Sequence, residues 1–153
     1  MKFVRPTRAG LACALFVGLT LAVVTASANT GQKFSGYFDV SGVQEQGDMV
    51  QLTLHLQLFN HGSTDLKSVI VTLMDNSPVM TLRGNFQPVQ VWKHQQFIEM
   101  SQEFTVTKRE YAMWTAAGPV APNLIIIYAD GNGKTWQKGV QISHRGLVAA
   151  DNR

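Results

Sequence analysis

Met49-Val-Gln-Leu-Thr-Leu-His-Leu-Gln-Leu-Phe59 decides the fold class. Val50, Leu52, Leu54, Leu56 and Leu58 fall on one side, and Gln51, Thr53, His55 and Gln57 on the other. A period of two is an extended strand with one face in a core and one in water. The same alternation continues upstream, where Phe34, Gly36, Phe38 and Val40 interleave with Ser35, Tyr37, Asp39 and Ser41. Gln44-Glu-Gln-Gly-Asp48 is the polar turn between the two. Downstream, Asn60-His-Gly-Ser-Thr-Asp65 is a turn-rich loop, since Asn and Gly accept positive φ.

Residues 69–74 are apolar on both faces, which suits a covered strand, and Asp75-Asn-Ser-Pro78 ends it. Val79 to Leu82 and Phe86 to Trp92 are shorter candidates. Gly84-Asn85 and Pro88 interrupt them, as edge strands tolerate. Ile98, Met100, Gln102, Phe104 and Val106 then alternate with Glu99, Ser101, Glu103 and Thr105. Thr107-Lys-Arg-Glu110 matches a capping box, with Val106 and Tyr111 at the positions of a hydrophobic staple. This predicts a short helical turn that turns Tyr111 and Trp114 to the core and stops at Gly118-Pro119. Asn123-Leu-Ile-Ile-Ile-Tyr128 is a fully apolar strand, Asp130-Gly-Asn-Gly-Lys134 a hairpin turn, and Thr135 to Ser143 the return, with Trp136, Val140 and Ile142 apolar. About seven strands with one short helical turn predict an all-β domain, a two-sheet antiparallel sandwich of immunoglobulin-like size; a closed barrel is the alternative.

Residues 1–28 read as a cleavable signal peptide. Lys2, Arg5 and Arg8 form a basic start, Ala9 to Val24 is small and apolar, and Ala26-Ser-Ala28 is a small-x-small cleavage site. The apolar run falls short of the roughly 20 residues of a membrane span. Processing leaves a domain over 29–145, a C-terminal tail over 146–153 and no membrane span, in the periplasm or outside the cell. Cys13, the only cysteine, lies within the signal. The processed chain therefore has no disulfide and no thiolate metal site, and its core alone must hold it. The formal charge of +3 also belongs to the signal, because residues 29–153 carry ten Lys plus Arg and ten Asp plus Glu. That neutrality removes the main argument for nucleic acid or an anionic membrane.

Val50 to Leu58, then Asn60, then Leu66-Lys-Ser-Val-Ile-Val-Thr-Leu73 resembles the strand pattern of bacterial immunoglobulin-like and fibronectin-III-like extracellular modules. Phe104-Thr-Val106 and Asn123-Leu-Ile-Ile-Ile-Tyr-Ala-Asp130 are similar to their later strands. The resemblance covers residues 33 to 145. It implies a sandwich used for adhesion, spacing or assembly, and it carries over no catalytic residue. Such modules usually sit beside other domains; here the module stands alone.

His55, His61, His94 and His144 make no metal-ligand pair at strand or helix spacing, so exposed imidazoles are expected and no cofactor or metal is assigned. Asp130-Gly-Asn-Gly-Lys134 has two oxygen-bearing side chains two apart, as calcium loops do, but lacks the further carboxylates. No nucleophile elbow is present. Trp92, Trp114, Trp136, Tyr37 and Tyr128 are weighed as ligand-stacking rings against core packing. Trp114 and Tyr128 are assigned to the core, whereas Tyr37 and Trp92 are expected to form a contact patch. The expectation is a non-enzymatic binding, accessory or assembly component of a bacterial envelope. Its partner would be another envelope or extracellular protein. A glycan gripped by Tyr37 and Trp92 comes second, and a His-metal hydrolase third.

Overall fold

The computed structural model describes residues 33–116 and 120–145. Residues 1–28, expected to be a signal peptide, the expected helix stop at Gly118-Pro119 and the tail over 146–153 lie outside the described residues. The strands are β1 (Phe34–Gln46), β2 (Met49–Asn60), β3 (Leu66–Met74), β4 (Leu82–Asn85), β5 (Val89–Trp92), β6 (Phe97–Thr107), β7 (Asn123–Ala129) and β8 (Thr135–His144), with one helix, α1 (Lys108–Thr115). The chain is all-β apart from that helix, as its alternation requires.

The strands join in the order β4-β3-β7-β8-β1-β2-β6, with β5 also on β3. This corrects the two-sheet antiparallel sandwich: the strands form one mixed sheet curled into a nearly closed barrel. β8 is the joint. It lies antiparallel to β7 along Leu124–Ala129 and parallel to β1 at Ser35–Phe38, so no gap separates two layers. Alternation reports which face of a strand is dry, and either architecture dries the same face; it does not report which edges meet.

The quoted strand is the centre of the fold. Val50, Leu52, Leu54, Leu56 and Leu58 are all buried, and β1 and β6 flank β2 in antiparallel register. β1 runs further than its apolar alternation. Gly42, with φ of 60°, and Val43 together face the single residue Leu52, a bulge that lets the polar residues Gln44–Gln46 pair with Met49–Gln51. The turn then shrinks to Gly47-Asp48, with Gly47 at φ of 59°. Phe34 stacks on Trp92 at 5.3 Å and meets Tyr128 edge-on at 5.7 Å. Trp114 is buried too, and the capping box is formed as the sequence predicts: Thr107 Oγ1 accepts from the Glu110 amide, and Glu110 Oε2 accepts from the Thr107 amide.

Two features differ from expectation. The strand expected at residues 79–82 forms at Leu82–Asn85, and the one expected from Phe86 begins at Val89. Val79 and Met80 are instead exposed, Met80 with φ of 52°. The apolar outer faces of β3 and β7 pack side by side, with Ile70 opposite Ile127 and both half-buried.

Candidate functional site

The outward face of β1, β2 and β6 gathers most of the chemistry-bearing side chains. Register sets them in rows: Ser35, Phe59, Phe97; Tyr37, Gln57, Glu99; Asp39, His55, Ser101; Ser41, Thr53, Glu103. Arg145, just past β8, reaches over the same face. Its Nε lies 3.3 Å from Asp39 Oδ2, and its Nη2 donates to Gln57 Oε1 at 3.2 Å. Gln57 Nε2 in turn donates to Glu99 Oε1 at 2.9 Å. His55 is held at both nitrogens, Nε2 at 2.7 Å from Ser41 Oγ and Nδ1 at 2.7 Å from Ser101 Oγ. A neutral imidazole can donate at one nitrogen and accept at the other, so the three side chains form one continuous chain of hydrogen bonds. Asp39, His55, Glu99, Ser101 and Arg145 surround a shallow depression of 230 Å³.

At one end the face turns aromatic. Phe59 lies 4.6 Å from Phe97 and 4.7 Å from His61, whose Nε2 is 2.6 Å from Ser35 Oγ. Phe97 is 54% exposed. The result is a flat platform with fixed donors and acceptors and an apolar end. The β2 amides behind it are spent on the ladders with β1 and β6.

Tyr37 is on this platform, 37% exposed, facing away from Phe34 and Phe38 as its alternation predicts. Trp92 is not: it is fully buried, and its Nε1 donates to the Gln96 carbonyl at 3.0 Å. The two residues do not form a common patch. Pro88 interrupts the alternation before Trp92, which left its face open in the sequence; in the barrel, Trp92 faces Phe34 from the inner side of β5. The residues that sequence reasoning passed over are Phe59 and Phe97. Their signal was present, since Phe59 is an aromatic residue on the polar side of the opening strand.

The histidines are dispersed. His94 Nδ1 lies 2.7 Å from Asp65 Oδ1, and His144 meets the Phe38 ring edge-on. No group of three or more His, Cys, Asp or Glu suited to a metal occurs among the described residues. The Asp130 carboxylate is committed to its own hairpin turn. Oδ1 accepts from the Asn132 and Lys134 amides, and Oδ2 accepts from Trp136 Nε1 at 2.8 Å. Trp136 is thus partly exposed over the turn instead of contributing to the core.

Three carboxyls are held below their ordinary value by hydrogen bonds to the charged form. Asp65 receives the His94 amide and ring, Asp75 the Ser77 hydroxyl and the Thr81 and Ser77 amides, and Asp130 the Trp136 indole and two turn amides. All three hold turns and loops and not the polar rows of the platform.

No family model matches the chain, and no curated protein matches it. Two crystal structures of a GH20 exo β-N-acetylglucosaminidase from Vibrio harveyi, one with N-acetylglucosamine and one of an inactive mutant, superpose with a TM-score of 0.43 at 14% identity. The match covers 72% of this chain and 18% of the enzyme. A superposition of that quality assigns neither fold nor function. No helix among the described residues is long and apolar enough to cross a membrane.

Proposed function

We propose that this chain is an exported, non-catalytic binding component of a bacterial envelope, and that it holds another protein against the β1–β2–β6 face. The observation that carries this reading is the exposed aromatic end, Phe97 with Phe59 and His61, beside the ordered polar rows. An aromatic anchor flanked by satisfied polar groups is the composition of an interface centre and its rim. His55 bonds two serine hydroxyls and no carboxylate that would orient it as a general base, and Asp39 and Glu99 are engaged by Arg145 and Gln57, which supports recognition over chemistry.

A photo-crosslinking residue at position 97, expressed in the native envelope, tests the proposal. It is expected to yield one discrete protein adduct that a probe at Gly131, in the β7–β8 turn, does not yield. No adduct, or the same adducts from both positions, rejects the reading. A glycan ligand is the second reading, favoured by Tyr37 standing in one row with Gln57 and Glu99, a ring beside an amide and a carboxylate. It predicts retention on a glycan array that Tyr37→Ala removes; equal retention of the two proteins ends it.

A further inference from the structure

We infer that the free edge of β6, from Phe97 to Glu103, is a docking strand for an extended segment of a partner protein that carries Lys or Arg at every fourth position. This rests on the binding reading above and names the partner's chemistry.

Among the described residues, β6 is hydrogen-bonded on one side only, to β2. Its other edge is closed near Phe104, where Phe86 packs at 5.1 Å and a Cβ on Gly84 would stand 3.0 Å from the ring. Towards Phe97 the wall is open. The inward residues Ile98, Met100 and Gln102 remain partly exposed, although their β2 partners Leu58, Leu56 and Leu54 are buried. An added strand would supply the missing main-chain partners and cover Ile98 and Met100 with alternate apolar side chains.

Charge selects the occupant. Glu99 and Glu103 stand on the outward side of the open edge, four residues apart with Ser101 between them. Glu99 accepts from Gln57 at one oxygen, and among the described residues the other is unengaged. Arg145, the cation on this face among the described residues, is already joined to Asp39 and Gln57. A second copy is a poor occupant. A two-fold antiparallel pair centred on Ser101 sets Glu99 of each copy directly opposite Glu103 of the other. The register centred on Met100 sets the two Glu99 side chains diagonally. Like charges in these positions are destabilising, and opposite charges are favourable. The edge therefore rejects itself and accepts a strand with cations opposite Glu99 and Glu103, a small polar residue opposite Ser101 and an apolar one opposite Phe97.

The probe that follows is the capped peptide Lys-Val-Ser-Val-Lys-Val-Leu, added to the processed chain beginning at Asn29. Calorimetry is expected to detect binding that weakens with salt, and hydrogen exchange is expected to slow across residues 97–103. The double variant Glu99→Gln, Glu103→Gln should lose at least tenfold in affinity. Methylating alternate peptide nitrogens should abolish binding, and exchanging both lysines for glutamates should do the same. Equal binding of the lysine and glutamate peptides overturns the inference, as does protection that leaves β6 unchanged, or no binding. A concentration-dependent dimer with β6 protected overturns it in favour of a second copy. A discrete crosslink from position 97, with β6 untouched by the peptide, sinks this inference alone. Absence of any crosslink sinks the binding reading itself.

Discussion

Gly36→Ala should destabilise this protein, while the same change at Gly139 should not. Gly36 sits where β1 is squeezed between β2 and β8, opposite Leu58 and Ile142. A Cβ there would collide with the Gln57 carbonyl oxygen and stand 2.8 Å from Leu58 Cδ2. The oxygen belongs to a backbone held by β1 and β6 and cannot rotate away. Overpacking of this kind costs about 1–3 kcal/mol, and the fixed carbonyl puts Gly36 at the upper end. Alanine regains about 0.5–1 kcal/mol by restricting the unfolded chain, so the net loss is about 2 kcal/mol. For a domain of this size that is a fall in Tm of about 8 °C. At Gly139, on the exposed part of β8, an added Cβ meets nothing within 4 Å, so the entropic gain of about 0.5 kcal/mol stands alone. Urea unfolding of both variants measures the difference as a change in midpoint with the slope preserved. The packing argument is refuted if Gly36→Ala unfolds with the wild type, or if Gly139→Ala loses as much as Gly36→Ala.

Trp92→Ala should cost about 3–5 kcal/mol in urea unfolding, as for a fully packed ring, whereas Tyr37→Ala should stay within about 0.5 kcal/mol. Comparable losses would mean that the two rings are not divided between core and surface. Thr107→Ala should cost about 1 kcal/mol through the lost helix cap, read by thermal melting. Arg83→Met takes the guanidinium from the buried Glu110 carboxylate, which it meets at 2.9 Å. It should cost about 2 kcal/mol, below the figure for a fully buried pair because the Arg83 side chain is 24% exposed. The lowered pKa values of Asp65, Asp75 and Asp130 fix the sign of the acid limb. Their contribution is complete above the ordinary carboxylate value of 3.8 and is lost as pH falls through the lower folded values. Denaturant midpoints measured from pH 6 downwards should fall in acid, and the triple Asp→Asn variant should flatten that fall; an unchanged slope would contradict the assignment.

The interior was legible because burial of β2 depends on one property repeated at one period. Leu52, Leu54 and Leu58 can be placed from the sequence, and so can the cap at Thr107, whose partners are three residues away. Trp92 could not, since Pro88 breaks the alternation that would assign its face. The candidate site was legible only in part. Tyr37 and His55 were readable as outward-facing residues. The reach of Arg145 to Asp39 and Gln57 beside them depends on β8 lying parallel to β1, a pairing between residues about a hundred positions apart that no local pattern encodes. The sandwich expectation failed on the same pairing.

That pairing also decides where the barrel must stay open. A sheet closed through β8 brings its two remaining edges, β4 with β5 and β6, face to face. Closing them would need a continuous strand opposite the eleven residues of β6. The chain offers two strands of four residues each, both already on β3, separated by Phe86-Gln-Pro88. Phe86 spends its amide on the Val71 carbonyl, and Pro88 has no amide to give. The broken edge can therefore pack against β6 through side chains at Phe86 and Phe104, but it cannot form a ladder with it. Aggregation through such a gap is the hazard that exposed edges carry, and Glu99 and Glu103 are the charges that oppose it. The interruption that obscured Trp92 in the sequence is thus what keeps β4 and β5 from pairing with β6.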